Sequence, residues 1–308
     1  MRLALAILFL SAMLMAAPAP SSALVTQIRP LIDRDDFPAA ETCLRDYQSA
    51  RGKTSELAAA ISWMGRGALA RHRLDQAAAY AARTRSLTSE LLKSRPLDAD
   101  SFLPTALGAA IEVEAQVLAT RNELSAAIAL LERELDAYRT TSLRIRIQKN
   151  LHLLSLEGKP APPLDMSQYL GRKPEPLAAR KGRAVLLFFW AHWCPDCKAM
   201  APVLARLQSE YGAAGLSIYL PTALYGYAQH GEEVPPAEEL RHIEKIRRQA
   251  YPGLEDAPLP VSEENLRAYG SSTVPTVVLL DRQGVVRLYR PGKMSYEELA
   301  PRVAALLR

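Results

Sequence analysis

The spacing of apolar residues divides the chain into two parts of different character. From residue 25 to residue 156, apolar residues recur at intervals of three and four in a background rich in Ala, Leu, Arg and Glu. That pattern predicts an all-helical region. After residue 163, short apolar runs alternate with amphipathic stretches, which is typical of an α/β fold.

The helical pattern breaks at residues 51–53, 96–98 and 121–122 and restarts after each break. Three segments within it open with a bulky residue followed by small ones: Phe37-Pro38-Ala39-Ala40, Leu74-Asp75-Gln76-Ala77-Ala78 and Leu124-Ser125-Ala126-Ala127-Ile128. These segments resemble the second helix of a tetratricopeptide-type unit, in which small residues let antiparallel helices approach closely. Their spacing is irregular, so the pattern leaves open either a tetratricopeptide-like array or an unrelated helical bundle.

A proline-rich segment, residues 157–163, separates the two parts. It cannot continue a helix, because each Pro removes a backbone donor and restricts the residue before it. We therefore expect an all-α domain over residues 24–158 and an α/β domain over residues 159–308. The second domain is predicted to contain strands at 184–190, 216–220, 276–281 and 285–289, and helices at 195–211, 237–250 and 296–307.

The first residues have the three parts of a secretory signal. Arg2 precedes an apolar stretch over residues 3–17, and small residues follow as far as Ala23. We expect cleavage after Ala23 and export to a periplasmic or extracellular compartment in which disulfides persist. An uncleaved membrane anchor is the alternative, although the apolar stretch is shorter than the roughly 20 residues that a spanning helix needs.

Charge and cysteine content narrow the classes of function. The formal net charge is +5 over 308 residues, but Lys and Arg are interspersed with Asp and Glu, and no basic run is long enough to follow a phosphate backbone. Binding of nucleic acid is therefore not expected. The cysteines, Cys43, Cys194 and Cys197, are odd in number, which argues against a framework of structural disulfides.

Two of the cysteines form a Cys-x-x-Cys sequence where a buried strand gives way to a helix. At a helix start, free backbone N–H groups and the helix dipole favour an anion, so Cys194 is expected to be the exposed, more acidic, attacking thiol. Cys197 follows on the same helix face, within reach of a disulfide. The spacing predicts dithiol–disulfide exchange, in which Cys194 attacks a target disulfide and Cys197 resolves the mixed disulfide.

At these residues the chain resembles the thioredoxin superfamily, and residues 160–308 most resemble its exported branch of TlpA/ResA-like thiol-disulfide oxidoreductases. The resemblance is carried by VLLFFWAHWC and CPDCKAMAP, and later by STVPTVVLLDRQG. It implies a helix kink at Pro202, a cis peptide bond between Val274 and Pro275, and short strands near residues 164–169 and 174–177.

The same resemblance implies the partners of the reaction. The backbone before Pro275 would pair with a protein substrate that carries disulfides or thiols. An upstream thiol-disulfide donor would supply the electrons, and no cofactor would be required.

Two departures from the family pattern bear on the chemistry. Pro195 follows the first cysteine and Asp196 precedes the second, where exported relatives often carry Pro directly before the second. A carboxylate beside the thiols disfavours a thiolate, so we expect a less acidic Cys194 and a more reducing couple.

Phe188 occupies the position where thioredoxins keep a buried carboxylate that helps move the proton of the resolving thiol. Asp196 or a carboxylate from a loop is the candidate replacement.

Two residues directly before Cys194 are candidates for tuning and substrate binding. His192 is expected to be an exposed neighbour that tunes thiolate stability. With the two cysteines it could also make three ligands for zinc, but a fourth ligand is missing nearby, which disfavours a metal site. Trp193 is expected to be a partly exposed platform for the substrate beside the thiols, with packing as the alternative.

The remaining candidates lie outside the Cys-x-x-Cys sequence. Cys43, in a predicted helix, is expected to be a small buried hydrophobe, and a regulatory partner for Cys194 is the alternative. Tyr225, Tyr227 and His230 lie in a loop punctuated by Pro and Gly, either as ordinary loop residues or as the lining of a substrate groove.

Two other functions are alternatives to that of a general thiol-disulfide oxidoreductase. The helical domain offers a surface for protein docking, so the chain could be chiefly a scaffold whose redox domain serves one docked client. A peroxidase on the same fold is disfavoured, since the peroxidatic Cys of peroxiredoxins lies in a Thr/Pro-framed helix.

Overall fold

The computed structural model of the chain describes residues 23–229 and 232–308. The predicted leader, apart from Ala23, lies outside the described residues, as does His230. The first part of the described chain is built from helices, which confirms the predicted all-α region. Its helices are α1 (Ala23–Asp33), α2 (Phe37–Arg51), α3 (Ser55–Ala70), α4 (Leu74–Leu91), α5 (Phe102–Thr120), α6 (Leu124–Ala137) and α7 (Leu143–Ser155).

Three hairpins, α1–α2, α3–α4 and α5–α6, share one form of connection. Its middle residue is Asp35, His72 or Asn122, with a φ of 67°, 56° or 65° respectively. The residue after it donates its backbone N–H to the carbonyl oxygen five positions earlier, at 2.8, 3.0 and 2.9 Å. This is the Schellman arrangement that ends a helix. Each of the three segments with a bulky residue and then small ones therefore starts a second helix, while their assignment to tetratricopeptide units stays a prediction.

Helix α5 is the central element of this part and contacts α3, α4, α6 and α7. Among the described helices, it alone is long and apolar enough to cross a membrane by length and composition. Its apolar residues, such as Leu103, Ala110 and Val117, are buried against the neighbouring helices. The apolar character of α5 is therefore that of a core helix.

The second part alternates strands and helices, as predicted. Its elements are β1 (Tyr169–Leu170), β2 (Ala184–Phe189), α8 (Pro195–Ala199), α9 (Ala201–Tyr211), β3 (Leu216–Tyr219), β4 (Tyr227–Gln229), β5 (Glu232–Glu233), α10 (Pro236–Ala250), β6 (Leu259–Pro260), α11 (Glu263–Ala268), β7 (Thr276–Leu280), β8 (Val286–Pro291) and α12 (Tyr296–Leu307). The main sheet has the order β3-β2-β7-β8. Strands β2 and β3 run parallel, and β7 runs antiparallel to β2 and β8.

Strand β2 lies inside the sheet and is buried on both faces, as its continuous apolar run predicts. Leu186 and Phe188 face one core, which α9 and α12 complete. Leu187 and Phe189 face a second core, which includes Leu156 at the end of the helical part. Packing on both sides fixes β2, and β2 in turn fixes the position of the residues that follow it.

Residues 174–177 do not form the strand implied by the resemblance. Pro174 and Pro176 cannot donate to a β-ladder, and the segment leads into a 3₁₀ turn at Leu177–Arg180. The other expected strand, near residues 164–169, is reduced to the two-residue β1, which pairs with β6.

The helix predicted over residues 195–211 is divided at Met200 into α8 and α9. Pro202 lies in the first turn of α9, so the kink implied by the resemblance is present. The β4–β5 hairpin and α11 were not predicted, because elements of two to six residues are too short to show a period.

The boundary segment is bound to the sheet. The N–H of Gly158 donates to the carbonyl of Val286 at 2.8 Å, and the N–H of Val286 donates to the carbonyl of Lys159 at 2.9 Å. A third bond joins Ala161 N–H to the carbonyl of Gly284 at 3.0 Å. This segment therefore covers part of the outer edge of β8, which would otherwise present unpaired backbone groups.

Candidate active site

Cys194 and Cys197 lie at disulfide distance at the start of α8, with their Cα atoms 5.3 Å apart. Cys194 is the residue that caps the helix, and its sulfur accepts the backbone N–H of Cys197 at 3.1 Å. Pro195 is the first residue of the helix, where its missing N–H has no cost. The free N–H of Cys197 in this helix start therefore points at the Cys194 sulfur, the position at which an anion is favoured.

The predicted exposure of Cys194 is wrong for this disulfide-bonded state. Cys194 is 2% exposed and Cys197 is fully buried, because both belong to the core that Leu186, Phe188, α9 and α12 form on one face of the sheet. The ring of Trp193, by contrast, is 42% exposed, which confirms the expectation of a partly exposed aromatic beside the thiols.

The Val274–Pro275 peptide bond is cis, as the resemblance implied. The Val274 carbonyl oxygen lies 3.6 Å from the Cys194 sulfur. The structure therefore brings Trp193, Val274 and Pro275, the three predicted substrate-binding residues, to the same end of the sheet as the cysteine pair.

His192 is buried, so the expectation of an exposed neighbour is wrong. Its Nε2 atom lies 3.2 Å from Oε1 of Glu239, and each residue is 1% exposed. Burial, with smaller contributions from His242 and Lys198, lowers the pKa of His192 to about 4. The imidazole is consequently neutral at pH 7, and its Nε2–H donates to the carboxylate.

Glu239 is the residue of this site that the sequence interpretation missed. Besides the bond from His192, its Oε1 accepts the N–H of Tyr225 at 2.5 Å and its Oε2 accepts the N–H of Gly226 at 2.8 Å. A signal was present: Glu239, Ile243 and Arg247 recur every four residues and form the buried face of α10. That spacing places a carboxylate on the inner face of a helix.

An aromatic group lies beside His192 and Trp193. The ring of Tyr225 is 5.5 Å from that of Trp193 and 5.8 Å from that of His192, edge to face, and Tyr227 lies 5.6 Å from His192. Desolvation is the main cause of a raised pKa in both tyrosines, so both phenols are neutral at physiological pH. Tyr225 thus forms a wall of the site, and its part in a substrate groove stays a hypothesis.

Asp196, the other tuning candidate, points to the surface. Its Oδ1 accepts from Nζ of Lys293 at 2.9 Å, and both side chains are more than half exposed. The carboxylate next to Cys197 is therefore partly neutralised by an ion pair that water screens.

Phe188 is fully buried and packs edge to face on Tyr251, with the ring centroids 6.2 Å apart. The position of the missing carboxylate is thus filled by an aromatic cluster. Among the described residues, the carboxylate buried beside the cysteine turn is Glu239, which reaches the site from α10 rather than from β2.

The third cysteine lies elsewhere. Cys43 is unpaired and half-buried on α2, against the core of the helical part. The sulfur of Cys194 is engaged by Cys197. Within the described part of the chain, no group of three or more His, Cys, Asp or Glu side chains has the arrangement of a metal site.

Residues 176–306 match the family model of the thioredoxin-like domain. The chain is 28% identical over 143 residues to the thioredoxin-like protein YneN of Bacillus subtilis, a match that covers 46% of this chain and 76% of that protein. It is also 28% identical over 144 residues to the thiol-disulfide oxidoreductase ResA of Geobacillus thermodenitrificans, covering 46% and 73% respectively.

Solved structures give matches of the same extent. A thiol:disulfide interchange protein of the thioredoxin family from Chlorobium tepidum is 21% identical, with a TM-score of 0.38, covering 49% of this chain and 97% of that one. The exposed lipoprotein thioredoxin Etrx1 of Streptococcus pneumoniae is 24% identical, with a TM-score of 0.35, covering 43% and 91%. Each of these matches covers less than half of this chain.

Proposed function

We propose that this chain, whose C-terminal half is a thioredoxin-like domain, is an exported thiol-disulfide oxidoreductase that acts on proteins and works as a reductase. The observation that carries the proposal is the Cys194–Cys197 pair at the start of α8, with the Val274 carbonyl and the exposed ring of Trp193 beside it. Relatives named thiol-disulfide oxidoreductase support the reaction class. Electrons pass between sulfur atoms, so no cofactor is needed.

The reaction starts from the reduced pair. The Cys194 thiolate attacks one sulfur of a target disulfide, a mixed disulfide forms, and the other target sulfur leaves as a thiolate. Cys197 loses its proton and attacks the Cys194 sulfur, which forms the internal disulfide and releases the second target thiolate. Two electrons reach the target, and an upstream dithiol returns the internal disulfide to its reduced form.

Each neighbour of the pair has a part in these steps. The N–H of Cys197 and the start of α8 stabilise negative charge on the Cys194 sulfur. The Val274 carbonyl pairs with the extended backbone of the substrate, and its position 3.6 Å from the Cys194 sulfur supports this role. Trp193 offers a flat apolar surface on which a substrate side chain rests.

The direction of electron flow is argued from the charges around the pair. Asp196 lies beside Cys197, and a carboxylate at that position disfavours the thiolate and hence favours a reducing couple. Equilibration of the cysteine pair with glutathione measures its potential. A value below about −200 mV is expected, and a value near −120 mV, that of strong oxidants, would contradict the assignment as a reductase.

Substrate trapping tests the activity and its breadth. Cys197→Ser removes the resolving thiol, so mixed disulfides between Cys194 and its targets accumulate. Cys43→Ser is the matched control that removes a thiol outside the pair. Many captured proteins indicate a general reductase. One captured protein favours the alternative, a scaffold in which the helical domain docks a single client. A purified pair that is inert to dithiothreitol would overturn the enzyme assignment.

Export rests on the leader over residues 1–23. Fusion of alkaline phosphatase after the leader reports on it, since that enzyme acquires its disulfides and activity outside the cytoplasm. An active fusion with the leader and an inactive one without it are expected.

A further inference from the structure

The carboxylate of Glu239 joins three separate segments of the thioredoxin-like domain. It belongs to the first turn of α10 and accepts Nε2–H of His192 from the turn before α8. It also accepts the backbone N–H groups of Tyr225 and Gly226 in the loop after β3. Three donors converge on one carboxylate that is 1% exposed, so both of its oxygens are hydrogen-bonded inside the protein.

The turn that carries His192 also presents the reacting sulfur. The N–H of Cys194 donates to the carbonyl of Ala191 at 3.1 Å, so His192 and Trp193 are the two middle residues of a turn that ends at Cys194. One middle side chain, Trp193, points to solvent, and the other, His192, is held by Glu239. The orientation of the turn therefore depends on the anchor inside the protein.

The loop after β3, whose backbone N–H groups donate to Glu239, forms a wall beside the Cys194 turn. Tyr225, whose N–H the carboxylate accepts, packs edge to face on Trp193 at 5.5 Å. The same carboxylate thus sets both the turn and the aromatic wall against which Trp193 rests.

We propose that Glu239 is a positioning residue of the redox site, which acts through His192 on the Cys194 turn and through the Tyr225–Gly226 backbone on the wall beside Trp193. The inference rests on the proposed thiol-disulfide exchange and assigns that reaction a buried carboxylate outside the Cys-x-x-Cys sequence. In the part of the chain that the structure describes, the hydrogen bonds of Glu239 go to His192, Tyr225 and Gly226 and not to the reacting sulfurs, so its effect reaches them through the turn and through its charge.

The charged and titratable groups around His192 define the electrostatic setting. They are Glu239, His242, Lys198, Tyr225 and Tyr227. His192 is neutral and both phenols are protonated at pH 7. The carboxylate of Glu239, which accepts three N–H donors, lies on the inner side of the turn. A buried negative charge disfavours a thiolate, so its removal should make Cys194 more acidic and the couple less reducing.

The experiment compares Glu239→Gln with Glu238→Gln in the full chain. Glu238 precedes it in the same helical turn and is exposed, so the control makes the same charge change at the surface. The reduced proteins are alkylated with iodoacetamide from pH 5 to pH 9, and the disulfide is equilibrated with glutathione. For Glu239→Gln we expect the alkylation profile to move to lower pH and the equilibrium constant to shift on the order of tenfold toward the dithiol.

The control should match the wild type within about twofold, because a charge on the surface is screened. A Glu239→Gln protein that loses stability but keeps the wild-type alkylation profile and equilibrium would overturn the proposal, since the carboxylate would then be structural only. The alkylation profile needs no substrate. A shifted profile in a chain that reduces no protein disulfide would support the coupling while contradicting the proposed function.

Two substitutions of His192 keep the proposal testable if Glu239→Gln does not fold. His192→Gln retains an N–H that can donate to Glu239, whereas His192→Leu does not. We expect the rate of insulin disulfide reduction to fall on the order of tenfold further in His192→Leu than in His192→Gln, because the turn loses its anchor. Equal rates in the two variants would overturn the positioning role.

Discussion

The Nε2 atom of His152 lies 2.8 Å from the carbonyl oxygen of Ala268 and thereby joins the last helix of the helical part to the end of α11. The imidazole also packs edge to face on Tyr289 of β8, at 5.5 Å. Burial lowers the pKa of His152, so the ring is neutral at pH 7 and Nε2 donates to the carbonyl. The helical part and the thioredoxin-like domain thus share a specific interface, with Leu156 buried in the second core of the sheet.

Gly270 lies directly against the backbone of α7 in this interface, and its substitution should separate the two parts. Its φ is +59°, and a Cβ there would overlap the backbone of α7, 2.7 Å from the carbonyl carbon of Gln148. We expect Gly270→Ala to lower the free energy of unfolding by about 3 kcal/mol or more. The measurement is urea unfolding, with proteolysis at residues 157–163 as the readout of separation.

The matched control for Gly270 is Gly284→Ala. Gly284 also has a positive φ, +82°, but open space surrounds its Cβ position. Only the conformational cost applies there, about 1 kcal/mol. Equal losses in the two variants would show that the contact with α7 contributes nothing.

Arg85 is predicted to stabilise the helical part through a half-buried ion cluster. Its Nε donates to both carboxylate oxygens of Glu114 at 2.8 Å, and its guanidinium lies 3.1 Å from Glu134, which is nearly buried. Arg85→Met leaves the Glu134 charge without this partner, so we expect a loss of about 2–3 kcal/mol in chemical unfolding. Arg133→Met removes an exposed partner of the same Glu134, and a loss above about 1 kcal/mol there would contradict this ranking.

The buried His192 should make the chain sensitive to acid. Its pKa is about 4 in the folded chain against an ordinary 6.5, so well above pH 6.5 the imidazole is neutral in both states and contributes no difference. As pH falls from 6.5 to 4, the unfolded state takes up a proton that the folded state does not, and stability is lost, by up to about 3 kcal/mol. His192→Gln should lose less stability between pH 7 and pH 4.5 in urea unfolding. An identical loss in both proteins would show that His192 titrates normally.

Asp196 and Lys293 should shift the redox equilibrium in opposite directions. Their ion pair is exposed, so each effect is small. Asp196→Asn leaves Lys293 to favour the thiolate and should make the couple less reducing, whereas Lys293→Met should make it more reducing, each by about twofold to fivefold in the equilibrium with glutathione. A shift of the same sign in both variants would rule out a charge effect.

Much of the local order could be predicted from the pattern of residues. The 3.6-residue period before residue 156 reflects helices that are buried along one face. The apolar run of β2 reflects a strand that is buried on both faces. Each pattern lies within a short stretch of chain, so it can be recognised locally. The Cys-x-x-Cys spacing likewise fixes that Cys194 and Cys197 meet, because three residues of helix determine the distance.

Contacts between distant segments do not follow from local patterns. Glu239 meets His192 across 47 residues, and the period of α10 shows that Glu239 faces inward without showing what it faces. His192 was expected to be exposed for the same reason, since the residues that bury it come from the loop after β3 and from α10.

The contacts at the outer edge of β8 likewise depend on segments that are distant in the chain. The prolines of residues 157–163 correctly predict the end of the helices. The bonds from Gly158 and Ala161 to the start of β8 and the turn before it depend on how the chain returns more than 120 residues later. The period of apolar residues shows which side of a helix or strand is buried. Which partner covers that side is settled by the packing of whole elements, whose free energy is a sum over residues far apart in the chain.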